Sequence, residues 1–93
     1  MSIRSQMHVA VRGRVQGVGF RYFAREAARR FGVAGWVRNR PDGTVEVAAE
    51  GEGGALERFR AELAAGPEGA RVESLDELEP IAGALDDPFT IAR

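Results

Sequence analysis

Met7-His8-Val9-Ala10-Val11-Arg12-Gly13-Arg14-Val15-Gln16-Gly17-Val18-Gly19-Phe20-Arg21 changes its periodicity twice. Met7, Val9 and Val11 alternate with His8, Ala10 and Arg12, which predicts a half-buried strand over residues 7–12. Gly13, Gly17 and Gly19 then punctuate a loop from Gly13 to Phe20. From Arg21 to Phe31 the period becomes helical, with Phe20, Phe23, Ala24, Ala27 and Phe31 on one stripe. Gly32 is placed to end that helix, and Arg29 and Arg30 complement its dipole in the last turn.

Outward from this strand–loop–helix unit, Gly35-Trp36-Val37-Arg38-Asn39 predicts a second strand and Arg40-Pro41-Asp42-Gly43 a turn. Thr44 to Glu50 alternates again, with Val45, Val47 and Ala49 inward, so the pair forms a β-hairpin. Gly53-Gly54 opens a second helix, Ala55 to Ala65, with Leu56, Phe59 and Leu63 on its inner face; Gly66-Pro67 ends it. Arg71 to Leu78 predicts a fourth strand, Pro80 to Pro88 a loop, and Phe89-Thr90-Ile91 a short final strand. Residues 1–6 read as a disordered lead. The order is that of an α+β, ferredoxin-like βαββαβ sandwich: a four-stranded antiparallel sheet, first and third strands central, with both helices on one face. The whole chain, residues 1–93, is expected to be a single domain with its core over about 7–92.

The loop decides the chemistry. Successive backbone N–H groups in such a loop can converge on one anion, and a helix N-terminus adds unpaired donors and the positive end of its dipole. A cation there is ordinarily unfavourable by about 0.3–1 kcal/mol. Arg21 stands there all the same, as expected where an anionic ligand offsets the repulsion. The glycines do not form Gly-x-Gly-x-x-Gly, so the dinucleotide fingerprint is absent. A Cys-x5-Arg phosphatase loop would put its nucleophile at Val15, which has no nucleophilic atom; if the loop catalyses, water must attack directly. The bland alternative is a tight turn with Arg21 on the surface.

Composition narrows the field. The 93 residues, 44% apolar, contain no cysteine, so disulfides, thiolate metal sites and cysteine nucleophiles are excluded. His8 is the one histidine, which leaves no basis for a zinc site and no triad without it. All thirteen basic residues are arginine; a Walker A lysine, a Schiff base and a lysine general base are excluded, and arginine is the better side chain for bidentate phosphate or carboxylate recognition, although composition bias is the plainer reason for the total and leaves only the placement to explain. The net charge of −1 hides a division: residues 1–40 carry nine arginines and one acid, a balance of +8, and residues 41–93 four arginines and thirteen acids, a balance of −9. The near-neutral total argues against a duplex-binding protein. Residues 1–7 lack the apolar core of a signal peptide, and no apolar run approaches the roughly 20 residues of a membrane span. The expectation is a cytoplasmic monomer with no membrane and no nucleic-acid partner.

Val11-Arg12-Gly13-Arg14-Val15-Gln16-Gly17-Val18-Gly19-Phe20-Arg21 closely resembles the first signature of the acylphosphatase family. Gly35-Trp36-Val37-Arg38-Asn39, with Gly43-Thr44-Val45 and Gly51, resembles the second. The resemblance spans about residues 7–92 and implies hydrolysis of acyl phosphates to carboxylate and inorganic phosphate, with no metal and no cofactor. Arg21 matches the phosphate-binding arginine, Asn39 the asparagine that orients the attacking water, and the backbone of Val15, Gln16, Gly17, Val18, Gly19 and Phe20 the phosphate cradle.

The other prominent residues have plainer expected roles. His8 is expected to be structural or solvent-facing, on the face opposite Met7, Val9 and Val11. Trp36 and Tyr22 are expected to pack, and Arg12, Arg14, Arg38 and Arg40 to be solvated, steering anions at most. Two rivals share the topology: an RNA-binding module reading bases on an open sheet face, and a regulatory domain binding carbamoyl phosphate for a larger protein. The face carrying His8, Ala10, Arg12, Thr44, Glu46 and Ala48 offers no stacking aromatic, which counts against the first.

Overall fold

A computed structural model describes residues 4–92. Strand β1 (Arg4–Arg14) leads into helix α1 (Phe20–Phe31); strands β2 (Ala34–Asn39) and β3 (Val45–Glu52) form the hairpin; helix α2 (Gly53–Ala65) leads to β4 (Arg71–Glu77) and a short β5 (Thr90–Ile91). The sheet order is β4-β1-β3-β2-β5. The four longer strands pair antiparallel with β1 and β3 central, as the sequence predicts.

Three expectations need amendment. The disordered lead is too long: Arg4 to Gln6 extend β1 and pair with Glu52 to Glu50 of β3, while residues 1–3 lie outside the described residues. The sheet is mixed, because β5 runs parallel to β2, Trp36 opposite Thr90 and Val37 opposite Ile91. The chain leaves β4 at one edge of the sheet and must cross to the other edge, so it enters β5 in the direction of β2. Phe89 precedes this strand as a core residue, fully buried with its ring edge-on to Phe59 at 5.7 Å.

Both helices cover one face. Met7, Val9 and Val11 of β1 and Val45, Val47 and Ala49 of β3 meet Phe20, Ala24 and Ala27 of α1 and Leu56, Phe59 and Leu63 of α2 in a single core. Phe23 and Phe31, at the margins of the stripe, are half-buried. Gly32 ends α1 in the left-handed conformation, its N–H turned back to the last carbonyls. At Gly13 the β1–β4 register shifts, with φ at 133°. A Cβ there would lie 2.0 Å from the Arg71 carbonyl oxygen, so only glycine lets β4 approach as β1 turns into the loop.

The opposite face is not open. Residues 79–86 cross it at the end where β1 begins: Gln6 donates to the Ile81 carbonyl and accepts from its N–H, and His8 Nδ1 lies 2.5 Å from the Glu79 carbonyl oxygen. His8 is 9% exposed and Glu46 6%, so the solvent-facing alternative for His8 is wrong and the structural one holds. His8 Nε2 meets Glu46 at 2.6 Å, and Arg38 Nε donates to the second Glu46 oxygen at 2.7 Å. Trp36 packs as expected, edge-on to His8 and beneath the Arg38 guanidinium. An RNA-reading face of the kind the first rival needs is therefore taken up by side chains and the crossing segment.

Candidate active site

β1 and β2 run in the same direction with β3 between them, so their last residues arrive at one end of the sheet. There α1 begins. A cavity of about 80 Å³ lies at this junction, lined by Val15, Gly17, Gly19, Phe20, Arg21, Tyr22 and Asn39. Strand, loop, helix start and hairpin thus bring together residues 24 positions apart in sequence.

The loop is built to leave its donors free. Gly17 and Gly19 hold φ of 75° and 77°, a region costly to other residues; such left-handed positions are what allow successive amides to turn toward one side. Gly19 is the N-cap and has no side chain to cap the helix; α1 has no acid in its first turn. Phe23 N–H makes the first helical bond, to the Gly19 carbonyl at 3.0 Å, so the N–H groups before it fall to the orphan positions of a helix start. Among the described residues, no loop amide from Val15 to Gly19 donates to another part of the chain outside the regular elements. The Val15 and Phe20 side chains are both about 1% exposed and anchor the two ends of the loop in the core.

Arg21 is exposed. Arg4, Arg12, Arg30, Arg38 and Arg60 each have a carboxylate partner; Arg21 has none among the described residues. Asn39 is the last residue of β2, also exposed, with its backbone opposite Val45. The turn beside it is held by others. Gly43 N–H donates to the Arg40 carbonyl and Arg40 N–H to the Thr44 carbonyl. Thr44 donates from both its N–H and its hydroxyl to Asp42 Oδ1, at 3.0 and 2.6 Å. The hydroxyl bond, ahead of the N–H bond, holds the Asp42 carboxyl below its ordinary range.

Gln16 and Val18, expected in the cradle, do not line the cavity. Val18 packs against the core. The Gln16 side chain reaches across the end of β3, its Nε2 donating to the Arg40 carbonyl at 2.8 Å and the Thr44 carbonyl at 2.9 Å. It ties the loop to the turn that follows Asn39. Tyr22 was expected to pack; it is 62% exposed at the cavity, with the Arg25 guanidinium 4.8 Å from its ring centre. The sequence signal for it was position: a residue one place after Arg21 in the first helical turn leans back toward the helix start. A larger hollow, about 240 Å³, lies at the far end between β1 and α2, but its Arg60 is paired with Glu77 and none of the residues that the sequence singles out for chemistry lines it. Among the described residues, no group of three or more His, Asp or Glu is placed to hold a metal ion, and no helix is long and apolar enough to cross a membrane.

A family model described as Acylphosphatase matches residues 7–91. An acylphosphatase from Nocardioides sp. is 54% identical over 74 residues, which is 80% of this chain and 75% of that protein. Among solved structures, the acylphosphatase from Bacillus subtilis superposes with a TM-score of 0.82 at 40% identity, covering 98% of this chain and 100% of that one. HypF from T. kodakarensis also superposes, with a TM-score of 0.82 at 30% identity; the match covers 97% of this chain and 12% of that longer one.

Proposed function

The chain belongs to the acylphosphatase family, enzymes that hydrolyse acyl phosphates, and from that premise we propose how its own residues carry out the reaction. The phosphoryl group sits in the cavity between the loop and the start of α1. Backbone N–H groups from Val15 to Phe20 and the Arg21 guanidinium hold its oxygens. Asn39 aims a water at phosphorus, its amide having both a donor and an acceptor for the purpose. A single observation carries this reading: the unpartnered loop amides, the unpaired Arg21 and the uncommitted Asn39 border one cavity.

The water oxygen forms a bond to phosphorus as the bond from phosphorus to the acyl oxygen breaks. The carboxylate leaves with the bonding electron pair, and the water proton passes to a phosphoryl oxygen. The transition state is loose, with charge spread over the equatorial oxygens. Fixed N–H donors and a guanidinium fork suit that charge, and they need no reorganisation as it develops. A carboxylate is a good leaving group, so the site has little need of a general acid. Because the loop, Arg21 and Asn39 already meet at one cavity within a single fold, we propose further that the enzyme acts as a monomer.

Hydrolysis of benzoyl phosphate in the presence of a chelator tests the assignment. The wild type turns over. Arg21→Ala loses about 10²–10³ in kcat, the effect of removing one positioned oxyanion donor. Asn39→Ala loses turnover while inorganic phosphate still inhibits competitively at the wild-type concentration. Near-normal turnover in either variant would remove that residue from the mechanism. Phosphate binding without hydrolysis in the wild type would make the cradle a binding site only.

A further inference from the structure

The cavity is small and open on one side, about 80 Å³. On the reading above the loop amides and Arg21 hold the phosphoryl group, so the acyl group bonded to it extends toward the rim. In-line displacement also places the leaving carboxylate opposite the attacking water. Asn39, which aims that water, stands on the sheet side of the cavity; the helix side is the first turn of α1.

Tyr22 stands there. It is the one large apolar side chain among the described residues that is exposed, at 62%. A lone exposed tyrosine on a surface needs no explanation. This one borders the cavity, and its ring is already held. The Arg25 guanidinium, one helical turn on, lies 4.8 Å from the ring centre. Arg25 Nε also lies 3.5 Å from a Glu26 carboxylate oxygen, an ion pair without hydrogen-bond geometry, and that buried Nε has no hydrogen-bond acceptor among the described residues. The ring face is thus one of two contacts that hold the guanidinium. A ring fixed before the ligand arrives loses little side-chain freedom on binding it.

We propose that Tyr22 is the acyl-group subsite: its ring receives the flat or apolar acyl part of the substrate that the phosphoryl cavity leaves outside. The substrates it favours are acyl phosphates with an aromatic or extended apolar acyl group, over those with an acyl group too short to reach the ring. The proposal rests on the phosphoryl-cavity reading and adds a specificity residue to it.

The test is kcat and KM for benzoyl phosphate and acetyl phosphate in the wild type, Tyr22→Phe and Tyr22→Ala, with Arg21→Ala alongside. Tyr22→Ala raises KM for benzoyl phosphate about three- to tenfold, the worth of one aromatic contact. Its KM for acetyl phosphate and its inhibition by inorganic phosphate move less than about twofold on the same scale. Tyr22→Phe keeps the wild-type constants for both substrates, since the ring is what acts. An equal change for the two substrates in Tyr22→Ala, or no change for either, overturns the subsite. Arg21→Ala reports separately on the cradle: loss of both substrates together upholds the phosphoryl reading, whichever way the Tyr22 ratio falls.

Discussion

Gln16 and Arg21 show how unevenly single residues can be read. Arg21 was legible because its position contradicts an elementary preference: a cation at a helix start calls for an anion. Gln16 carried no such signal, because a glutamine amide in a loop has many possible partners. Only the tertiary structure supplies them, the carbonyls of Arg40 and Thr44 on the far side of β3. The bonds hold the cradle in register with Asn39. Gln16→Ala is expected to cost about 1–3 kcal/mol of stability for two lost hydrogen bonds, measured by urea unfolding. It also lowers kcat for benzoyl phosphate more than it raises KM, since phosphate contacts survive while the aim of the water slackens. Gln16→Glu gives the same loss near neutral pH, because a carboxylate has no proton to donate to those carbonyls. Wild-type kcat in both variants would show that the tie does not matter to the chemistry.

Among the elements, the predicted strands and helices all formed, because their patterns are local: period two over Met7–Arg12 and Thr44–Glu50, helical period over Phe20–Phe31. What the pattern could not report was the far side of the sheet. Alternation marks His8 and Glu46 as facing away from the helices, and a face without helices reads as solvent. The segment 79–86 crosses it and buries them, a contact between residues some 70 positions apart. Burial alone would raise the Glu46 carboxyl, but hydrogen bonds from His8 and Arg38, with their charges, outweigh it and hold that group below its ordinary value. A carboxyl lowered by folding contributes stability above its unfolded value of about 4.5. That contribution is lost as pH falls through the lower folded value. Urea unfolding of the wild type and Glu46→Gln, at about pH 7 and about pH 3, checks this. The variant is the less stable at neutral pH, and the gap narrows in acid; a gap that is constant with pH would remove the charged form of Glu46 from the account.

Over the whole molecule, the division of charge between the two halves of the chain is partly cancelled by folding. β1 and β2 lie against β3 and β4, and the ion pairs Arg4–Glu50, Arg12–Asp76, Arg30–Glu62 and Arg38–Glu46 all join the basic half to the acidic half. The expectation that Arg12, Arg38 and Arg40 are simply solvated is therefore amended: each has a carboxylate, Asp76, Glu46 and Asp42 in turn. Arg14, at the start of the loop, is exposed and has no carboxylate partner among the described residues. Long-range attraction of substrate should then rest on few residues. Arg14→Gln is expected to lower kcat/KM for benzoyl phosphate about two- to threefold at low ionic strength, with the difference gone at about 0.5 M salt. Arg12→Gln removes one partner of an exposed pair and leaves kcat/KM nearly unchanged. Equal effects of the two substitutions would mean that net charge, not placement, governs the encounter.

The sequence by itself determined the elements, their order, the sandwich they form and the two residues proposed for the chemistry. The elements and Arg21 depend on periodicity, on glycine conformations and on the cost of a cation at a helix start, all of which act within a few residues; Asn39 rests on the resemblance of Gly35–Asn39 to the second acylphosphatase signature. Tertiary structure alone decided the parallel fifth strand, the buried His8–Glu46 pair, the tie from Gln16 and the exposure of Tyr22. It also decided which arginines remain free beside the cavity. Each of these is a contact, or the lack of one, across the sheet or between layers, and local pattern carries no information about which distant group will arrive there.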